Sequence, residues 1–209
     1  MEVILIACCQ RKSSGGILDY KRPFSLNSTL SSSRIDRLMN ARKELANILN
    51  LSPGLDTGFD QHNQELLFLP AYQRYTGNVY KRSQFAILFP KTTSIRILII
   101  SAFYGLLDAD DLIREYDLAM NDTLPNGTKV KTWWKRKSLG GIVEEYIRGI
   151  NPSKIHDLLS GHYRDALQPW PPERLRNNMI TYSYPGLGFG ADWRRGNDLK
   201  SILESHLIA

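Results

Sequence analysis

Cysteine is nearly missing from this chain. The only two, Cys8 and Cys9, are adjacent, so they are poorly placed to bridge to each other, and no disulfide framework can form without others. That favours a reducing cytoplasm as the setting. Histidine is also scarce. His62, His156, His162 and His206 show no paired ligand spacing, so no zinc site is expected, and no metal or organic cofactor is called for. Long apolar runs are lacking too: no window approaches the roughly 18 consecutive apolar residues of a membrane span. The opening Met1-Glu2-Val3-Ile4-Leu5-Ile6 has an acid at position 2 and no basic stretch before the apolar residues. It reads as a first β-strand rather than a signal peptide. Neither an internal repeat nor a linker breaks up the 209 residues, a length that suits one well-cored domain, expected over 1–209.

What the chain does have is positive charge: 27 Lys and Arg against 21 acids, a net charge of +6. Such a field attracts polyanions without identifying one. Val3 to Ala7 and Ile95 to Ser101 are apolar runs of the kind covered on both faces in a parallel sheet. Leu66–Leu69, Lys154–Leu159 and Met179–Tyr184 are further strand candidates. Helical spacing of apolar residues appears over Arg34–Leu51, with Ser33 as a cap, and over Leu139–Ile150, capped by Ser138. Another helix is expected from Val79 to Phe89, and a last one from Asp198 to Leu207 with Asn197 as its cap. Strands alternating with helices predict an α/β fold, a mostly parallel central sheet flanked by helices.

The segment after the strongest strand, Ser101 to Met120, carries Tyr104, Gly105, Asp108, Asp110, Asp111, Tyr116 and Asp117. Ligands of open α/β sheets bind beyond the carboxyl ends of strands, and carboxylates beside aromatic rings suit base recognition and acid–base work. The plainer reading is a solvated acidic loop with packing tyrosines. Upstream, Thr76-Gly77-Asn78 is turn chemistry leading into a helix. Cys8 ends the first strand near Arg11 and Lys12, where cations could lower a thiol pKa; a buried, inert cysteine is the alternative. From 129 to 137, Lys129, Lys131, Lys135, Arg136 and Lys137 surround Trp133 and Trp134 with no acid between. Cations for phosphates and indoles for bases are the ingredients of a nucleic-acid surface, although a solvated helix face would read the same way. Arg174, Arg176, Arg194 and Arg195 bracket a glycine-rich loop, Tyr182 to Gly190, whose Leu187 or Phe189 could wedge into a duplex.

These segments resemble the YaaA family of peroxide-stress proteins and the uncharacterised families allied to it. The resemblance rests on Tyr75-Thr76-Gly77-Asn78-Val79-Tyr80, on Ser101 with Tyr104 to Leu107, and on Asp111, Ile113, Tyr116, Leu118 and Met120. It continues through Trp133-Trp134-Lys135, Asp157 to Tyr163 and Arg195-Gly196. Asn78 stands where the family prefers Asp, Asp157 where it prefers Asn, and Asp108-Ala109 replaces Arg-Pro. The resemblance implies DNA binding and protection of DNA under oxidative stress.

Two functions follow as expectations, with DNA favoured over RNA as partner and no membrane partner. The first is a cofactor-free DNA glycosylase-like enzyme of repair or phage defence. Asp111 would be its catalytic carboxylate, with Asp108 and Asp117 behind it. Tyr104, Gly105, Tyr116, Asn78, Tyr80, Ser160, Tyr163 and Cys8 would form the base pocket. Arg11, Lys12, Lys131, Trp134, Lys135, Arg136, Lys137, Arg194 and Arg195 would hold the nucleic acid. The second is a non-catalytic DNA-binding stress protein, to which an acidic cluster would contribute nothing. A third, base exchange in RNA, needs similar parts.

Overall fold

The computed structural model describes residues 1–18, 25–60, 63–188 and 190–208. Its strands, in chain order, are β1 (Glu2–Ala7), β2 (Phe68–Pro70), β3 (Ile95–Ser101), β4 (Gly105–Asp108), β5 (Leu112–Arg114), β6 (Lys154–Asp157) and β7 (Met179–Thr181). The main sheet has the order β4-β3-β1-β6-β7, parallel throughout except for β4, which runs antiparallel to β3. The expected α/β architecture is what the chain adopts. β2 and β5 form a small antiparallel sheet of their own. Val3 through Ile6 of β1 are wholly buried, so both faces of the sheet are covered, which is why these strands read as continuous apolar runs rather than alternating ones.

The helices are α1 (Ser32–Ile48), α2 (Ala71–Arg74), α3 (Asn78–Arg82), α4 (Phe85–Leu88), α5 (Val130–Arg136), α6 (Leu139–Ile150), α7 (Gly161–Leu167) and α8 (Gly190–Glu204). They pack in two groups, α1, α5 and α6 with α7, and α2, α3 and α4 with α8. No helix among the described residues is long and apolar enough to cross a membrane.

Several boundaries differ from the sequence reading. The single helix expected from Val79 to Phe89 is two, because Gln84 takes a left-handed conformation (φ 53°) between α3 and α4. The last helix begins at Gly190, not after Asn197. Asn197 lies inside it and accepts a hydrogen bond from Arg82 Nε at 2.6 Å. Ser33 and Ser138 make no side-chain caps: α1 is preceded by Ser31, whose hydroxyl bonds Glu145 instead, and Ser138 sits at φ 59°. β6 stops at Asp157 because its carboxylate turns back to accept from the Leu159 amide at 2.9 Å.

The β3–β4 turn is the tightest feature of the sheet. Ser101 Oγ accepts from the Phe103 and Tyr104 amides, and Gly105 follows at φ 72°. A Cβ on Gly105 would stand 2.7 Å from the Trp134 ring, so glycine is needed for conformation and for space alike. Below the turn, buried Asp56 accepts from Arg114 Nε (2.8 Å), from Arg114 Nη2 and from the Tyr104 hydroxyl (2.6 Å). Removing one member of a buried ion pair strands the other charge. Asp56→Asn is therefore expected to cost about 3–5 kcal/mol of unfolding free energy, measured by urea denaturation; a loss under about 1 kcal/mol would show that Arg114 finds water instead.

Candidate functional site

The chain leaves β1 toward β3 on one side and leaves β6 toward β7 on the other. Adjacent parallel strands whose connections part in this way open a crevice at their carboxyl ends, where ligands of open α/β sheets bind. A cavity of about 220 Å³ lies there, between Cys8, Cys9 and Gln10 after β1 and Ser160 after β6. Asn78, Tyr80, Tyr163, Asp192 and Arg195 also line it.

Each wall is fixed by hydrogen bonds. Tyr163 donates its hydroxyl proton to the Cys8 carbonyl (3.1 Å), which leaves the Cys8 thiol as donor in the 3.2 Å contact between Sγ and the tyrosine oxygen. Cys8 Sγ also accepts from the Ala102 amide at 3.3 Å. Tyr80 donates to the Ala7 carbonyl at 2.6 Å. Cys9 accepts from the Gly77 amide (3.2 Å) and donates to the Arg11 carbonyl (3.0 Å). Burial pushes the Cys9 thiol up to about 12, so it stays protonated. A Cβ on Gly77 would lie 2.7 Å from that of Cys9, which explains the glycine of the Thr76-Gly77-Asn78 turn. The Tyr116 hydroxyl bonds those of Tyr75 (2.8 Å) and Ser101 (2.9 Å), and Lys12 Nζ stands 3.9 Å from the centre of the Tyr116 ring. Burial raises the pKa of Tyr75, Tyr80, Tyr116 and Tyr163, keeping them neutral phenols, and lowers that of Lys12.

Of the residues proposed from sequence, Cys8, Asn78, Tyr80, Ser160, Tyr163 and Arg195 meet at this cavity; Lys12 donates to the carbonyls of Cys9 and Gln10 in its lining and lies over the ring of Tyr116. The aspartates do not converge there. β4 runs back from the carboxyl end of β3, so Asp108 pairs with Leu98 rather than lying at the crevice. Asp108 is ion-paired to Arg96 at 2.9 Å, and Asp111 accepts from the Asp108 amide at 2.8 Å. Asp117 alone of the three comes near, its carboxylate 3.4 Å from Gln10 Nε2 at the rim. Tyr104 is wholly buried on Asp56, and Gly105 serves the turn.

The basic segment needs correction as well. Trp134 is 0% exposed and its indole donates to the Ala102 carbonyl at 2.7 Å, and Trp133 is also buried, so neither can stack on a base. Helix periodicity turns these two indoles into the core and leaves Lys135 and Arg136 outside. Lys131 is paired with Asp165, and Lys137 with Glu44. Arg194 is exposed, 3.8 Å from Asp198. Leu187 is exposed, while Phe189 and His62 lie outside the described residues.

A cationic groove was missed. About 330 Å³ in volume, it is lined among the described residues by Arg11, Asn78, Lys81, Arg82, Gln84 and Trp193, with no carboxylate in that set. Trp193 is 55% exposed and the Arg82 guanidinium lies 4.8 Å from its ring centre. Asn78 lines both groove and cavity. The signal was present in Lys81-Arg82 and in Trp193 before Arg194-Arg195, but every strand and helix from α4 through β7 lies between them in sequence. Among the described residues no group of three His, Cys, Asp or Glu side chains is placed to hold a metal ion.

A family model described as Peroxide stress protein YaaA matches residues 6–187. No curated protein matches the chain.

Asp108 has a structural consequence that can be measured. Only 1% exposed, it has its carboxyl pushed up to about 6 because burial outweighs the attraction of Arg96. Between about pH 4 and 6 the unfolded chain has released a proton that the folded chain keeps, so this group's contribution to stability falls as pH rises through that window. Relative to Asp108→Asn, the wild type should lose on the order of 2–3 kcal/mol between pH 4 and pH 7. Parallel stability–pH curves from urea unfolding would refute the shift.

Proposed function

This chain belongs to the peroxide stress protein YaaA family, and from that premise we propose that it binds DNA as a stress-protection protein. The strand lies along Arg11, Lys81 and Arg82 with a base stacked on Trp193. The observation that carries the reading is the groove, free of carboxylates among the described residues, with an exposed indole among cations. Lysine and arginine on phosphates supply salt-dependent affinity, and an exposed aromatic face supplies stacking that any base can use. Binding is preferred to base excision because Asp108 and Asp111 stand away from the crevice, and the one carboxylate lining the cavity among the described residues, that of Asp192, is engaged by Arg195 at 2.6 Å. Excision remains the second reading, favoured by a cavity that shares Asn78 with the groove and has Asp117 at its rim.

Fluorescence anisotropy on single-stranded and duplex DNA across a salt series tests both. The joint substitution Lys81→Ala and Arg82→Ala should reduce the slope of log K against log salt by about 1.4–1.8, at roughly 0.7–0.9 per lost phosphate contact. Trp193→Ala should weaken single-strand binding by about 1–3 kcal/mol. Wild-type affinity that is absent, or indifferent to salt, would sink the binding reading. Free base detected by mass spectrometry, and lost in Asp117→Asn, would favour excision.

A further inference from the structure

The switch-point cavity has more hydrogen-bonding capacity than the protein fills. Arg195 is only 7% exposed. Its Nη1 donates to Asp192, its guanidinium lies 5.0 Å from the Tyr184 ring centre, and its Nε has no partner among the described residues. A buried guanidinium N–H left unpaired is costly, and native proteins meet such groups with water or a ligand. Two further groups in the lining make no side-chain hydrogen bond among the described residues, though neither is buried as Arg195 is: the amide of Asn78, which is exposed, and the hydroxyl of Ser160, which is half-buried.

Arg195 can only donate, and the amide and hydroxyl can both donate. The set suits an anion with several acceptor oxygens. A phosphate monoester has three such oxygens and a charge of about −1.5 to −2 near neutrality. A diester brings fewer free oxygens and needs the chain both to enter and to leave. A recess closed by Cys8, Tyr80 and Tyr163, and continuous at Asn78 with a groove, suits a group presented end-on. Asp192 is the carboxylate at the site, and its bond to Arg195 Nη1 holds the guanidinium while leaving Nε free.

We propose that this cavity captures a terminal phosphate monoester on Arg195, Asn78 and Ser160, with the attached nucleoside directed toward Trp193. The inference rests on the DNA-binding reading for its source, a phosphorylated strand end, but the same chemistry would take a free nucleoside monophosphate. Because the second ionisation of a phosphate monoester falls near pH 6, affinity for the phosphorylated form should rise as pH increases through that value.

The test is competition anisotropy with one DNA sequence in four forms: 5′-phosphate, 3′-phosphate, hydroxyl-ended and covalently circular. A nucleoside and its monophosphate serve as small competitors. One phosphorylated end should bind about tenfold tighter than the hydroxyl-ended strand, as expected for charge-assisted bonds, and the monophosphate should compete where the nucleoside does not. That preference should fall close to unity in Ser160→Ala and in Arg195→Lys, with folding checked by circular dichroism. Equal affinity for all four DNA forms would overturn the proposal while leaving DNA binding intact. Phosphate-dependent nucleotide binding without DNA binding would do the reverse, assigning the cavity to the free nucleotide. Binding of neither would overturn both.

Discussion

Where β1 ends, its main-chain carbonyls lose their strand partners, and a buried backbone carbonyl must find another. The whole site is organised by how that requirement is met. The carbonyl of Ala7 takes the Tyr80 hydroxyl from α3, that of Cys8 takes the Tyr163 hydroxyl from α7, and those of Cys9 and Gln10 take the Lys12 ammonium. The Arg11 carbonyl takes the Thr76 amide and the Cys9 thiol. Five consecutive acceptors thus draw α3, α7 and the Thr76-Gly77 turn onto one strand end, and the cavity is the space they leave between them. Its polar lining is in this sense a by-product of satisfying the strand terminus, and Asn78, Ser160 and Arg195 are the groups left over.

Buried cations support the irregular segments in the same way. Arg42 donates to the carbonyls of Tyr104 and Leu106, both at 2.8 Å, and so supports the β3–β4 turn from α1. Arg74 ties the carbonyls of Ser13, Gly15, Leu67 and Ile113 together. Arg114 holds Asp56. These guanidiniums, with that of Arg195, count toward the net charge of +6 yet present almost nothing to solvent. Arginine suits the task because its rigid fork of donors meets several carbonyls at once. The cations that a ligand can touch are therefore a smaller set, and Arg11, Lys81, Arg82, Lys135, Arg136 and Arg194 are exposed members of it.

Much of the fold was legible because burial leaves a simple mark. Apolar runs identified β1 and β3, and α6 has the spacing predicted for it from Leu139 to Ile150. Cys8, Asn78, Tyr80, Ser160 and Tyr163 of the proposed base pocket meet at the crevice because turn chemistry at Asn78 and the ends of β1 and β6 are local features. The carboxylates misled because sequence proximity to the end of β3 was taken for spatial proximity. A four-residue strand running backward carries Asp108 away from the crevice before Asp111 is reached. The tryptophans misled because interleaving with lysine looks alike whether the indole faces inward or outward; on α5 both face inward.

Neighbours along the chain were enough to set the class of the fold and to mark the apolar runs of β1, β3 and α6 for burial, since hydrophobic periodicity is a local property. Which polar residues face one another was decided by tertiary structure. Crossover direction placed Cys8 beside Ser160, and the packing of α3 on α8 brought Lys81 and Arg82 to Trp193. Such contacts span more than a hundred residues and depend on how strands are ordered in the sheet, a property that no local window of the chain contains.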